Sequence, residues 1–377
     1  MYLPFIIVLT VVFLVALVLM GISFERYARR SEKMPTQKEL KREARQKEIM
    51  ELRRKKAEKK EKAEKTEKSE KSEKSTRSKY EEKDVQQLLV TSGDKQFSDR
   101  VYKITEYFRY NRYLYKKKDE IAALDYIEKH GFAIFPHKTK IIYDHSQIKV
   151  FRDEGPHPYV LHDGKKMFYP SSFDDASIQM SYNSLLREQD ADSPHRYTTH
   201  SFKPQEGDIL FDVGASEGMF ALSHIESLSK VYLFECEGSW IEALKKTFKP
   251  WIEKIEIVNK FIGAKTVGTY TTLDDFCKEF YNDDKENSYF VKADIEGAEL
   301  DLLSGAKNIL QNKNNVRMIL CTYHRHNDAQ KIEQILVQNN FKTEFSKGYM
   351  VFLFADDELK PPYLRRGVIR AEKGLQS

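Results

Sequence analysis

Residues 208–218 read DILFDVGASEG. An apolar run ends in Asp212, two glycines follow four positions apart, and GMFALSHIESL then has helical spacing. Strand, glycine turn and helix in that order form the opening unit of an α/β sheet with its ligand at the turn. Moving outward, the unit recurs. KVYLFE precedes SWIEALKKTFKPW, and IEIVNKFI precedes TLDDFCKEFY. YFVKAD precedes GAELDLLSGAKNIL, and VRMILCTYH precedes AQKIEQILVQNN. Strand and helix alternate for about 150 residues, which predicts a Rossmann-like, doubly wound, mostly parallel sheet. FKTEF and YMVFLF, on either side of Lys347-Gly348, are expected to close it as an antiparallel pair at the edge.

The segments before this unit differ from it. Pro4–Phe24 is apolar apart from Thr10 and Ser23. Its length of about 20 residues suits a bilayer-spanning helix. A cleaved signal peptide is the alternative, but no basic n-region precedes the run and no small-x-small cleavage site follows it. Arg26, Arg29 and Arg30 lie just beyond the span, so the positive-inside rule predicts a single-pass anchor with the rest of the chain in the cytoplasm. Between Arg26 and Tyr80 stand 22 Lys/Arg and 11 Glu, a net of +11 against +5 for the whole chain. Such a tract cannot bury a core and is expected to be a solvated linker, helical in part through i,i+4 Glu–Lys pairs. The remainder is mildly acidic, which argues against nucleic acid as a partner. Cys236, Cys277 and Cys321 form no CxxC pattern, so neither a disulfide framework nor a zinc site is expected.

The expected organisation is an anchor at 1–24, a linker at 25–83 and an α+β extension at 84–202 on the acceptor side. A cofactor-binding domain at 203–356 and a basic C-terminal arm at 357–377 follow. Within the extension, Phe97, Val101, Ile104, Tyr107 and Phe108 share one face of an amphipathic helix, AALDYIEKHG forms a second helix closed by Gly131, and DGKK turns a hairpin.

The ligand follows from charge. The turn carries Asp212 and Glu217 and no Lys or Arg, so a diphosphate would be repelled. Its GxxxG spacing is neither GxGxxG nor a P-loop. A ligand with a ribose and a cationic tail suits it, and S-adenosylmethionine has both. Glu235 ends the second strand 21 residues after Gly214, placed to accept ribose hydroxyls. A glycine turn in a ligand-free domain is the competing interpretation.

Five segments resemble the FkbM-type S-adenosylmethionine-dependent methyltransferases: DVGASEG (212–218), LFECEGSW (233–240), TLDDF (272–276), KADIEGAELDLLSGA (292–306) and CTYHR (321–325). Ser216 replaces the commoner Asn of the family turn, and Cys236 replaces a Pro; neither change removes a charge. The cofactor contacts expected from charge and resemblance together are Asp212, Gly214, Ser216, Glu217, Gly218, Glu235 and Cys236. The resemblance implies methyl transfer to a hydroxyl of a small molecule, glycan or glycolipid.

Taking the proton of such a hydroxyl needs a base at the ends of the fourth and fifth strands. Asp294, His324 and Glu296 are the candidates. Carboxylates in a first helical turn also serve the dipole and the cap, which would account for Glu296 and Glu299 without chemistry. Asp294, Glu296, Glu299 and His324 are metal-ligand types, but their spacing matches no metal signature, and no metal is assigned. His195, Arg196, Arg365, Arg366 and Arg370 could line a basic wall for an anionic acceptor, or serve packing.

Overall fold

The computed structural model describes residues 95–139, 143–278, 287–312, 315–353 and 359–374. The expected anchor and linker lie outside them. Among the described residues no helix is long and apolar enough to cross a membrane.

Helices α1 (Lys95–Asn111) and α2 (Lys118–His130) come first. Strands β1 (Phe151–Arg152), β2 (Pro158–His162) and β3 (Lys165–Phe168) form an antiparallel meander, turned between β2 and β3 by Asp163 and Gly164, both at positive φ. Helix α3 (Asp175–Glu188) starts where the Asp174 carboxylate accepts the Ser177 N–H. The alternating unit then runs β4 (Ile209–Val213), α4 (Met219–His224), β5 (Lys230–Phe234), α5 (Gly238–Thr247) and β6 (Ile255–Val258). Short β7 (Phe261–Ile262) and β8 (Tyr270–Thr271) lead to α6 (Leu273–Cys277), β9 (Tyr289–Ala293), α7 (Glu299–Ser304), α8 (Lys307–Asn312), β10 (Val316–Cys321) and α9 (Asp328–Gln338). Strands β11 (Lys342–Phe345), β12 (Met350–Val351), β13 (Leu364–Arg365) and β14 (Val368–Lys373) close the chain.

The main sheet has the order β11-β14-β10-β9-β4-β5-β6. From β10 to β6 every neighbour is parallel. Parallel strands flanked by helices are buried on both faces, which is why β9 and β10 are buried at every position and are apolar apart from Lys292 and Arg317. Helices α6 to α9 cover one face, with Leu273, Leu302, Leu303, Ile332 and Leu336 packed against Phe211, Val291 and Met318.

Two expectations are corrected. The edge strand is β11, and the antiparallel strand is β14, inserted one place in from the edge between β10 and β11. The residues expected as a free basic arm therefore complete the sheet. β12 pairs with β13 instead of with β11. The extension is divided. Its helices bury Val101, Ile104, Phe108, Leu124 and Ile127 against Tyr349, Val351, Tyr363 and Leu364, so segments far apart in sequence build a second core. The β1–β3 meander packs instead on α4 and α5. Each fully buried Ile, Leu or Phe there contributes about 1.5–3 kcal/mol.

Candidate active site

Parallel packing places the carboxyl ends of β4, β5, β9 and β10 along one edge, where ligands of open α/β sheets bind. The turn after β4 is forced to use glycine at both places the sequence has it. Gly214 sits at φ +76, and a Cβ there would lie 2.1 Å from the Asp294 carbonyl oxygen. Gly218 sits at φ +77, and its Cβ would lie 2.7 Å from Leu244 Cδ2 and Phe248 Cε2. The first glycine lets β4 and β9 close together; the second lets α4 start against α5.

Glu235 staples this turn to the end of β5. Its Oε2 accepts the Ser216 N–H at 2.8 Å, and its Oε1 accepts the N–H groups of Cys236 at 2.7 Å and Glu237 at 2.8 Å. A carboxylate has about four acceptor positions, so room remains for one ligand hydroxyl. Cys236 takes part through its backbone. Burial, with Glu235 beside it, pushes its thiol up to about 12 and leaves it unreactive. Glu217 is half-buried in the same turn. Burial raises its carboxyl to about 7, with Glu188 adding to the rise and Lys292 opposing it.

Lys292, one residue before the end of β9, lies beneath the turn. Its Nζ donates to the Gly214 carbonyl at 2.6 Å and stands 3.1 Å from Asp212 Oδ1. Burial works against its charge, but Asp212 and Asp294 overcome that and hold it protonated. Asp212 is itself fully buried, and neither of its oxygens completes a well-aligned hydrogen bond. It therefore acts from below the ligand edge, through Lys292.

Asp294 is the hub. The Tyr197 hydroxyl donates to Oδ2 at 2.7 Å and the Tyr323 hydroxyl to Oδ1 at 3.2 Å. His195 Nε2 lies 3.6 Å from Oδ2, and His324 Nε2 lies 3.5 Å from Oδ1. Burial alone would raise this carboxyl, but His195 beside it, with His324 and Lys292, holds it well below the ordinary range. His324 in turn meets Glu299 Oε1 at 3.0 Å through Nδ1 and Glu296 Oε2 at 3.6 Å through Nε2. Burial disfavours its charge; Glu299, Glu296 and Asp294 outweigh burial and raise it to about 10. A histidine so held carries its proton at neutral pH. Without another cation among these carboxylates, it is a poor base.

The structure thus brings Asp294, His324 and Glu296 together at one edge, with the turn residues and Glu235 along the same edge. It does not form the basic wall. Arg365 donates to the carbonyls of Tyr323 and His324, Arg370 to those of Tyr197 and Arg196, and both are buried. Arg196 and Arg366 likewise donate to backbone carbonyls. His195 joins the site instead, 3.2 Å from the Tyr323 hydroxyl. Sequence reasoning missed Tyr197, Tyr323 and Lys292. Lys292 alone carried a signal, since a lysine inside a two-sidedly buried strand must have a buried partner.

A family model described as the methyltransferase FkbM domain matches residues 259–343. Over these residues the chain resembles the FkbM methyltransferases. Lys292, Asp294, Glu296, Glu299 and His324 fall inside the FkbM match; the glycine turn and Glu235 precede it. The comparison with curated proteins gave no match. Among solved structures the chain is similar to methyltransferase FkbM from Methylobacillus flagellatus KT, with 16% identity over 53% of this chain and 55% of that one and a TM-score of 0.33. It is similar to precorrin-6y C5,15-methyltransferase from Geobacter metallireducens GS-15, with 12% identity over 45% and 83% and a TM-score of 0.30. For Trm5b from Pyrococcus abyssi the identity is 11% over 59% and 57%, with a TM-score of 0.32. The chain spans 55% of the length of the first of these structures.

Proposed function

We propose that this chain methylates a hydroxyl group with S-adenosylmethionine as donor. The observation that carries this is the charge of the ligand edge. Glu217, Glu235 and Asp294 reach it, Asp212 lies beneath it, and the one lysine among them is engaged by Asp212 and the Gly214 carbonyl. Burial keeps Glu217 short of full ionisation. A cationic ligand relieves that strain of like charge, whereas a phosphate adds to it. Glu235 would hold the ribose, and Glu217 and Asp294 would face the cationic part. Bound there, S-adenosylmethionine supplies a methyl group on a positively charged sulfur. The residues around it exclude water and orient the acceptor. Asp294, with its oxygens fixed by Tyr197 and Tyr323, orients the acceptor hydroxyl against the methyl group.

The acceptor class we favour is a glycan, a lipid-linked sugar or a related metabolite. The apolar run Pro4–Phe24 and the charged tract after it support a membrane-anchored enzyme facing the cytoplasm, suited to an acceptor made at that surface. Titration calorimetry with S-adenosylmethionine tests the cofactor. The expected result is one site per chain, weakened at least about tenfold by Glu235→Ala, which removes an acceptor and the Ser216 hydrogen bond that holds the turn. No binding by the wild type, or equal binding by the variant, overturns it. Mass spectrometry of glycolipid extracts with and without the protein, searched for the mass of one methylene, tests the acceptor.

A further inference from the structure

We propose that His324, Asp294 and Glu296 bind a divalent first-row metal ion, with Glu299 orienting the histidine. His324 is only 1% exposed, and its Nε2 completes no hydrogen bond. Its Nε2 points between two carboxylates, 3.5 Å from Asp294 Oδ1 and 3.6 Å from Glu296 Oε2. Those gaps are too long for N–H···O hydrogen bonds. Each is close to the separation of about 3.4 Å between two ligand atoms of a tetrahedral ion at about 2.1 Å, and Asp294, Glu299 and His324 place ligand atoms within 4.8 Å of one another.

The other face of the ring supports the same assignment. A metal-binding histidine commonly gives its second nitrogen to a carboxylate, which fixes the ring and raises its basicity. Here Nδ1 lies 3.0 Å from Glu299 Oε1. Glu299 is fully buried, and the same oxygen accepts the Ile295 N–H at 3.1 Å, so the orienting group is itself held. Glu296 sits at φ +55, a conformation rare outside glycine, and this strained backbone brings its carboxylate back towards His324. Its side chain is 49% exposed, so the site opens to solvent on the Glu296 side.

One imidazole nitrogen and two carboxylate oxygens suit Mn2+ or Zn2+ better than Ca2+, which prefers oxygen alone. Holding the acceptor hydroxyl on the metal would lower its proton affinity; this role, unlike the site, rests on the methyl-transfer reading above.

The test uses the full chain, stripped of metal by a chelator and titrated with MnCl2 while free Mn2+ is followed by electron paramagnetic resonance. One Mn2+ per chain is expected. Glu299→Gln, which keeps an acceptor for the Ile295 N–H and removes the charge beside Nδ1, should weaken binding about 10–100-fold. Glu296→Gln changes a half-exposed side chain and should weaken it at least about tenfold, with the unfolding midpoint kept. Competition by ZnCl2 should displace the Mn2+. Absence of Mn2+ binding at millimolar metal, or wild-type binding by both variants, overturns the site. Calorimetry with S-adenosylmethionine is run on the same samples. Metal bound without cofactor leaves the site standing and removes the methyl-transfer reading; cofactor bound without metal does the reverse.

Discussion

Asp208 precedes β4 and Asp212 lies within it, four residues on; both are completely buried. At the amino end of the sheet, Arg317 Nη2 donates to both oxygens of Asp208 at 2.6 Å, and the Gln205 N–H donates to one of them at 2.7 Å. Arg317 also reaches the Lys203 carbonyl at 2.9 Å and Ser288 Oγ at 3.2 Å. Each partner is answered. At the carboxyl end, Asp212 meets Lys292 at 3.1 Å and completes no aligned hydrogen bond. Around it, the proton affinities of Lys292, Asp294, Glu217 and His324 are all displaced. The same chemistry, a buried aspartate and a cation, closes one end of the sheet and leaves the other under electrostatic tension. Tension of that kind collects where a ligand is meant to complete the set.

The comparison can be broken at the closed end first. Arg317→Ala strands Asp208 without its cation and should lower stability by about 3–5 kcal/mol in urea unfolding. S-adenosylmethionine affinity of the folded fraction should not change. Loss of affinity would mean that the two ends are not separable. Gly214→Ala acts at the open end. A side chain at positive φ, set against the Asp294 backbone, should cost about 2–4 kcal/mol and also abolish cofactor binding. A variant that keeps binding would show that the turn does not shape the site.

Glu217 sharpens the contrast through pH. Its carboxyl is raised from 4.5 to about 7. A raised acid favours the folded state most below its unfolded value, so the contribution is complete below about pH 4.5 and is lost as pH climbs through 7. Glu217→Gln should remove about 1–3 kcal/mol of that slope, read from unfolding midpoints across the window. Affinity for the cationic ligand should rise with pH over the same range in the wild type only. At the small end of the scale, Glu242→Ala breaks an exposed pair with Lys245 on α5, and stability should shift by no more than about 0.5 kcal/mol.

The parallel core was legible because strands buried on both faces cannot hide their composition; β4, β5, β9 and β10 appear in the sequence where they lie in the sheet. β14 was not legible. YLRRGVIRA reads as a basic surface arm, since nothing local shows that Arg365 and Arg370 will be buried by donating to carbonyls of residues 41 to 174 positions away. The site divides in the same way. Asp294 announced itself by ending a strand at the ligand edge. Tyr197 and Tyr323 gave no signal, because a tyrosine in a loop has no period and its partner is set by the tertiary fold.

The place of β14 also bears on how the chain is made. β10 and β11 are synthesised before it, yet the strand that each pairs with on that side is missing until β14 slides between them. A nascent chain therefore presents two open strand edges, and the rim bearing Tyr323 and His324 stays unsupported until Arg365 arrives just ahead of β14. Open edges of that kind invite pairing with a neighbouring chain. Ribosome stalling or premature termination within β14 would release an assembly-incompetent polypeptide prone to self-association, instead of a weakened enzyme.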